Sequence, residues 1–162
     1  MLTLCACGFH LRGTQAAAWP ASIPQVRVVV ADSRAAYDPL KLEMQSALRT
    51  QARVTVADGG ELPQLVLHGE RMEQQVLSVG TTGRVSEYLV RYEVSFRFLA
   101  SDGKELVTDQ TVRLLRDYAF DPQNVLAKER EEAELKAVMR RDAVQQILRR
   151  LSRALAGATA GT

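Results

Sequence analysis

Apolar and polar side chains alternate strictly in the middle of the chain, between Val90 and Phe98. The apolar positions are Val90, Tyr92, Val94, Phe96 and Phe98, and the polar positions between them are Arg91, Glu93, Ser95 and Arg97. Because successive side chains of a strand point to opposite faces of a sheet, this pattern predicts a strand with one buried face and one solvated face. We expect all the polar positions, Glu93 included, to face water.

Three further segments favour strands. The run Val26 to Val30 is rich in β-branched residues and too short for a helix, which predicts a buried strand. A second strand is expected from Leu65 to about Ser78. A fourth, from Glu105 to Tyr118, follows the turn Ser101-Asp-Gly103, because Asp-Gly is typical of hairpins.

Two helices are indicated by the same start signal, an aspartate followed by a proline. Aspartate caps helix N-termini, and proline fits the first helical position. After Asp38-Pro39, the first helix is expected to run to about Arg53. After Asp121-Pro122, the second contains neither proline nor glycine before Gly157. Its first half is charged, and its second half carries the apolar stripe Val144, Ile147, Leu148, Leu151 and Leu155.

The predicted order is therefore β-α-β-β-β-α, an α+β fold. We expect a four-stranded mixed or antiparallel sheet with both helices packed on one face, because this arrangement buries both helix stripes and one side of the sheet. At 162 residues the chain suits one domain, expected over residues 23–155 and followed by a flexible tail over residues 156–162.

Charge and hydropathy narrow the class of protein. A net charge of +2 without a basic tract gives no indication of a nucleic-acid partner. No apolar run approaches the roughly 20 residues that span a bilayer, so membrane attachment would require a lipid.

Residues with catalytic or metal-binding chemistry are sparse. His10 and His68 have no second ligand or nucleophile at suitable spacing, and the glutamates of residues 129–134 are typical of a solvated helix face. The segment Gly80 to Arg84 resembles a phosphate loop, but it joins two predicted strands and opens no helix, which favours a hairpin turn. We expect no enzymatic activity, no metal and no cofactor.

The N-terminus carries the spacing of a bacterial lipoprotein cleavage site. Leu4 stands three residues before Cys7 and Ala6 directly before it, whereas Cys5 would put leucine in a position that needs a small residue. We expect residues 1–6 to be the remainder of a signal peptide, Cys7 to be lipidated, and residues 7–22 to form a tether. The alternative is a chance Cys-x-Cys pair.

Three segments resemble the LptE family of lipopolysaccharide-assembly lipoproteins. They are Cys7-Gly-Phe-His-Leu-Arg-Gly13, Ser86-Glu87-Tyr88 and Phe120-Asp-Pro-Gln-Asn-Val-Leu-Ala-Lys128, and the likeness extends from Cys7 to about Leu151. The resemblance implies the fold above and a lipid-anchored, periplasm-facing protein of the outer membrane. It also implies a plug in the lumen of the LptD β-barrel, which the protein helps to assemble, and lipopolysaccharide binding.

The family's lipopolysaccharide-binding residues are basic. The resemblance matches one of them, at the start of the last helix, to Lys128. The other falls at about Thr81, in the turn between the second and third predicted strands, where Arg84 is the nearest basic residue. Without the resemblance, Lys128 is more typical of an exposed helix pair with Glu132.

Two other classes of protein stay open at this stage. A pilotin-like lipoprotein chaperone would serve a different outer-membrane partner, although Gly8 after the lipidated cysteine, in place of an aspartate, favours the outer membrane itself. A hydrolase acting on envelope glycans would need paired carboxylates in a cleft.

Overall fold

Five strands and two helices form the part of the chain that the computed structural model describes. That part comprises residues 19–33, 35, 37–79, 85–119 and 125–159, with backbone alone for residues 125–129 and 158–159. The elements are β1 (Gln25–Val30), α1 (Pro39–Thr50), β2 (Thr55–Val56), β3 (Gln64–Val79), β4 (Val85–Leu99), β5 (Glu105–Ala119) and α2 (Val125–Thr159).

The sheet is mixed and has the strand order β2-β1-β3-β4-β5. β1 runs parallel to both of its neighbours, whereas β3, β4 and β5 are antiparallel. The α+β class is confirmed, but the predicted number of four strands is wrong. The sequence missed β2 because a strand of two residues is too short to show alternation.

The core lies between one face of the sheet and both helices, which also pack against each other. The even-numbered side of β4 is fully buried from Val90 to Phe98, as the alternation there predicts. Truncating a large core side chain such as Phe96 to alanine would cost roughly 3 to 5 kcal/mol. The helices contribute Leu40, Met44, Ala47 and Leu48 from α1, and Met139, Ala143, Val144, Ile147, Leu151 and Leu155 from α2.

Helix α1 begins as the sequence predicts and ends earlier. The Asp38 carboxylate accepts hydrogen bonds from the backbone N–H groups of Leu40 (2.9 Å) and Lys41 (3.0 Å), so it caps the helix. The helix ends at Thr50, before the predicted Arg53. Arg53 has a positive φ of 56°, a conformation that cannot continue a right-handed helix.

Helix α2, at the other end of the chain, continues through Ala156 to Thr159. The division of the whole chain into leader, tether, domain and tail stays a prediction.

A β-bulge divides β3 into two halves. His68 pairs with Ser95 and Arg71 with Glu93, so Gly69 and Glu70 together oppose a single residue of β4. Gly69 has a positive φ of 64°, which glycine adopts without strain. Side chains on the helix side of β3 are therefore odd-numbered before the bulge and even-numbered after it.

Trp19 joins the preceding segment to the domain. Its indole N–H donates to the carbonyl oxygen of Ile23 (2.7 Å), and its ring packs edge-on against Phe98 at 5.9 Å between centroids. The tether therefore enters the domain beside the end of β4.

Candidate functional site

Of the three residues predicted to carry function, only Lys128 lies in the described part of the chain. Cys7 and Arg84 lie outside the described residues. Lys128 is in the first turns of α2, where the backbone alone is described. The ends of the strands and the course of α2 locate the segments that lead to Arg84 and Lys128.

The segments bearing Arg84 and Lys128 leave the sheet at the same end. The last residue of β3, Val79, pairs with the first of β4, Val85, and the last of β5, Ala119, pairs with Glu87. We call this the distal end. The proximal end, where Leu99 pairs with Glu105, lies beside Trp19. Because β4 has 15 residues, the two ends are about 45 Å apart.

The first half of α2 also lies towards the distal end. Glu132 accepts a hydrogen bond from the hydroxyl of Tyr118 (3.3 Å), near the end of β5, whereas Arg150 donates to the carbonyl of Thr111 (3.0 Å), nearer the proximal end. The helix therefore runs from the distal to the proximal end, and its start, with Lys128, lies towards the distal end.

Polar and aromatic contacts hold the distal end together. The Gln74 amide donates to the hydroxyl of Tyr118 (2.6 Å), whose ring stacks on that of Tyr88 at 5.6 Å. Partial burial raises the pKa of Tyr118, and the Glu132 carboxylate raises it further against the opposite effect of the Gln74 hydrogen bond. The phenol therefore stays neutral and able to donate to Glu132.

A polar cluster that the sequence did not predict joins the bulge to α2. The Glu70 carboxylate accepts from Arg140 Nε (2.8 Å) and from the Tyr92 hydroxyl (2.7 Å). Tyr92 is fully buried, and both charged side chains are largely shielded. Burial raises the pKa of Tyr92 strongly, and the Glu70 carboxylate adds to the effect. Arg140 lies four residues before Val144, on the buried stripe of α2, which is the sequence signal that could have indicated its role.

The sheet face away from the helices is polar but is not solvated throughout. Arg91 and Arg97 are exposed there, as expected. Glu93 is buried at 6% exposure beneath two arginine side chains, so the expectation that it faces water is wrong. Arg71 and Arg113 from the neighbouring strands both bind its carboxylate. Desolvation opposes ionisation of Glu93, but the two guanidinium groups outweigh it and lower its pKa.

His68 is paired with a carboxylate. Its Nε2 pairs with Asp109 (2.7 Å) on the open sheet face, and the hydroxyl of Ser95 in the adjacent strand pairs with Thr111 (2.9 Å). Within the described ranges, no three histidine, cysteine, aspartate or glutamate side chains come together as a metal site.

Within the described part of the chain, neither α1 nor α2 combines the length and the apolar character that crossing a bilayer requires.

The chain has clear relatives. The family model described as "LptE: Lipopolysaccharide-assembly" matches residues 23–151. The LPS-assembly lipoprotein LptE of Yersinia enterocolitica is 30% identical over 154 residues, which cover 93% of this chain and 70% of the relative.

Solved structures of two lipoproteins share the fold. Rare lipoprotein B from Shewanella oneidensis has a TM-score of 0.70 and 30% identity, covering 82% of this chain and 97% of that one. Lipoprotein B from Nitrosomonas europaea has a TM-score of 0.73 and 30% identity, covering 95% and 96%. The match over nearly the whole domain, in sequence and in fold, means that the chain belongs to the LptE family of lipopolysaccharide-assembly proteins.

Proposed function

We propose that this protein is an outer-membrane lipoprotein that plugs and helps to assemble the LptD β-barrel and binds lipopolysaccharide at its distal end. One structural observation carries the second part of the proposal. The connection that bears Arg84 and the segment that leads to Lys128 in α2 leave the sheet at a common end, opposite the end beside Trp19. Membership of the LptE family supports the first part.

The distance between tether and distal end supports a position inside a barrel. Cys7 precedes Trp19 by 12 residues, which reach at most about 40 Å, so a lipid on Cys7 would keep the proximal end within that distance of the membrane surface. The sheet extends about 45 Å from there, and a bilayer with its headgroups is roughly 40 to 45 Å thick. A domain that stands upright in a lumen would therefore bring its distal end close to the outer leaflet.

The open sheet face has the chemistry expected of a surface that meets a barrel lumen, because the inside of a large transmembrane barrel is polar. Arg91 and Arg97 project from this face. The buried carboxylate of Glu93 is neutralised by Arg71 and Arg113. Such a face can exchange its water for polar side chains of the barrel at little cost.

Lipopolysaccharide carries phosphates on its lipid A, and charge-assisted hydrogen bonds from arginine or lysine to phosphate are stronger than neutral ones. Arg84 and Lys128 are the basic residues that we propose for these contacts. Lys128 is the residue matched directly by the family resemblance, and Arg84 belongs to the connection between β3 and β4, which leaves the sheet at the same end.

Photo-crosslinking in cells tests the plug. Photoreactive residues at Thr82, Arg91 and Arg97 sample the β3–β4 connection and the open face, and we expect all three to capture a partner of barrel size. Capture from the tether alone, with no crosslink from the three domain positions, would mean that the domain lies beneath the membrane. The pilotin-like alternative would then replace the plug.

A further inference from the structure

A groove runs along the helix side of β3 at the distal half of the sheet. α2 packs over β4 and β5, so it leaves this part of β3 uncovered. A cavity of about 380 Å³ lies between the two elements. It is lined by Met72, Gln74, Glu132, Ala133 and Lys136.

The floor of the groove leads towards the distal end and carries Met72 and Val76, with Gln74 between them. Met72 is half-buried in it, and Val76, on the same side of β3, is 53% exposed. The strip from Met72 to Val76 is about 13 Å long. Exposed apolar side chains that continue from a cavity in this way favour an extended apolar ligand.

The charges at the groove favour an amphiphile with one anionic group. Lys136 lines the cavity and forms no ion pair within the described residues. Its ammonium group is therefore available for a phosphate. Glu132, on the same wall, accepts a hydrogen bond from Tyr118. Lys128 stands eight residues, or about 12 Å, before Lys136 along the helix.

We propose that this groove binds one acyl chain of lipopolysaccharide, with the chain against Met72, Ala133 and Val76 and a lipid A phosphate on Lys136. The inference rests on the proposed function and extends it. The basic residues at the distal end would hold the polar part of the ligand, and the groove would shield one of its chains from water.

Binding of dodecyl phosphate, kept below its micelle concentration, tests the groove in the full chain. Ala133 is exposed, so Ala133→Trp fills the groove without disturbing the core. We expect this variant to bind the probe at least 10-fold more weakly. Ala156→Trp, the same substitution at an exposed position near the other end of α2, should leave binding unchanged. Lys136→Gln should weaken binding of dodecyl phosphate several-fold and leave that of the uncharged dodecyl maltoside unchanged.

Nuclear Overhauser contacts between the acyl protons and the methyl groups of Met72 and Ala133 should accompany binding. Lipid A should displace the probe, and vesicles of phosphatidylglycerol should not. Equal affinity in Ala133→Trp and the parent, or displacement by the vesicles and not by lipid A, would overturn the inference.

Failure of the groove and failure of the proposed function give different results. If Ala133→Trp binds the probe normally while charge reversal of Arg84 and Lys128 abolishes lipopolysaccharide binding, only the groove is wrong. If charge reversal also has no effect, the proposed lipopolysaccharide site is wrong too.

Discussion

Arg140 of α2 donates a hydrogen bond of 2.8 Å to the carboxylate of Glu70, which stands in the bulge of β3. The same carboxylate oxygen accepts a hydrogen bond from the buried hydroxyl of Tyr92 (2.7 Å). This contact links the bulge, the centre of β4 and the helix. It thereby fixes the position of α2 along the sheet, and with it the position of Lys128.

Removing the arginine should cost considerable stability. Arg140→Met leaves the shielded carboxylate of Glu70 without its cation, and we expect the free energy of unfolding to fall by about 3 kcal/mol. Tyr92→Phe removes one hydrogen bond to the same carboxylate and should cost about 1.5 kcal/mol. Urea denaturation measures both. A loss below about 0.5 kcal/mol in Arg140→Met would mean that the pair behaves like an exposed salt bridge.

The bulge should depend on glycine at position 69. Gly69→Ala meets no steric obstacle but must adopt a positive φ, so it should destabilise the domain by about 1 kcal/mol. Gly157→Ala is the matched control, because it lies in α2 with equally open space and a helix favours alanine. Equal stability of the two variants in thermal unfolding would contradict the role given to Gly69.

The cap of α1 should make stability depend on pH. Burial disfavours the charged form of Asp38, but hydrogen bonds from Ser33, Lys41 and Leu40 outweigh it and lower its pKa below 3.8. The charged cap therefore stabilises the folded state above about pH 3.8, and this contribution is lost as the pH falls through the lower pKa of the folded state.

Asp38→Ala should accordingly lose about 1 kcal/mol at pH 7. Asp38→Asn keeps a capping oxygen and should lose less. The difference between the parent and Asp38→Ala, measured by urea denaturation, should shrink below pH 3.8. A difference that stays constant down to pH 2 would exclude the charged cap as its source.

Local patterns were sufficient to predict most of the fold. The alternation of β4 gave its buried face correctly, because burial of one side of a strand leaves a period of two in the sequence. The strand β2 left no such pattern. Glycine inside a predicted strand is a known sign of a bulge, and Gly69 could have indicated the change of parity in β3.

The polar clusters could not be predicted in the same way, because they depend on register. Glu93 looks like a solvated position in its own strand, and it is buried only because the pairing brings Arg71 and Arg113 beside it. Glu70 and Arg140 are 70 residues apart in sequence. For the same reason, the sequence did not indicate the groove between β3 and α2.

The lipid anchor should be separable from folding. We expect Cys7 to carry the lipid, and Cys7→Ser to release the protein from membranes with an unchanged circular dichroism spectrum. Mass spectrometry of the mature N-terminus tests this directly. A mature protein that begins at Cys5, or an unmodified thiol at Cys7, would contradict it.

The salt dependence of lipopolysaccharide binding tests the central claim most directly. The parent is compared with Arg84→Glu/Lys128→Glu and with the control Arg49→Glu/Lys104→Glu, which makes the same charge change at exposed positions away from the distal end. We predict that the first variant binds at least 10-fold more weakly and with less dependence on salt, because fewer charge pairs form with phosphate. The control should bind like the parent. Equal affinity of all three proteins at low salt would contradict a lipopolysaccharide site at the distal end.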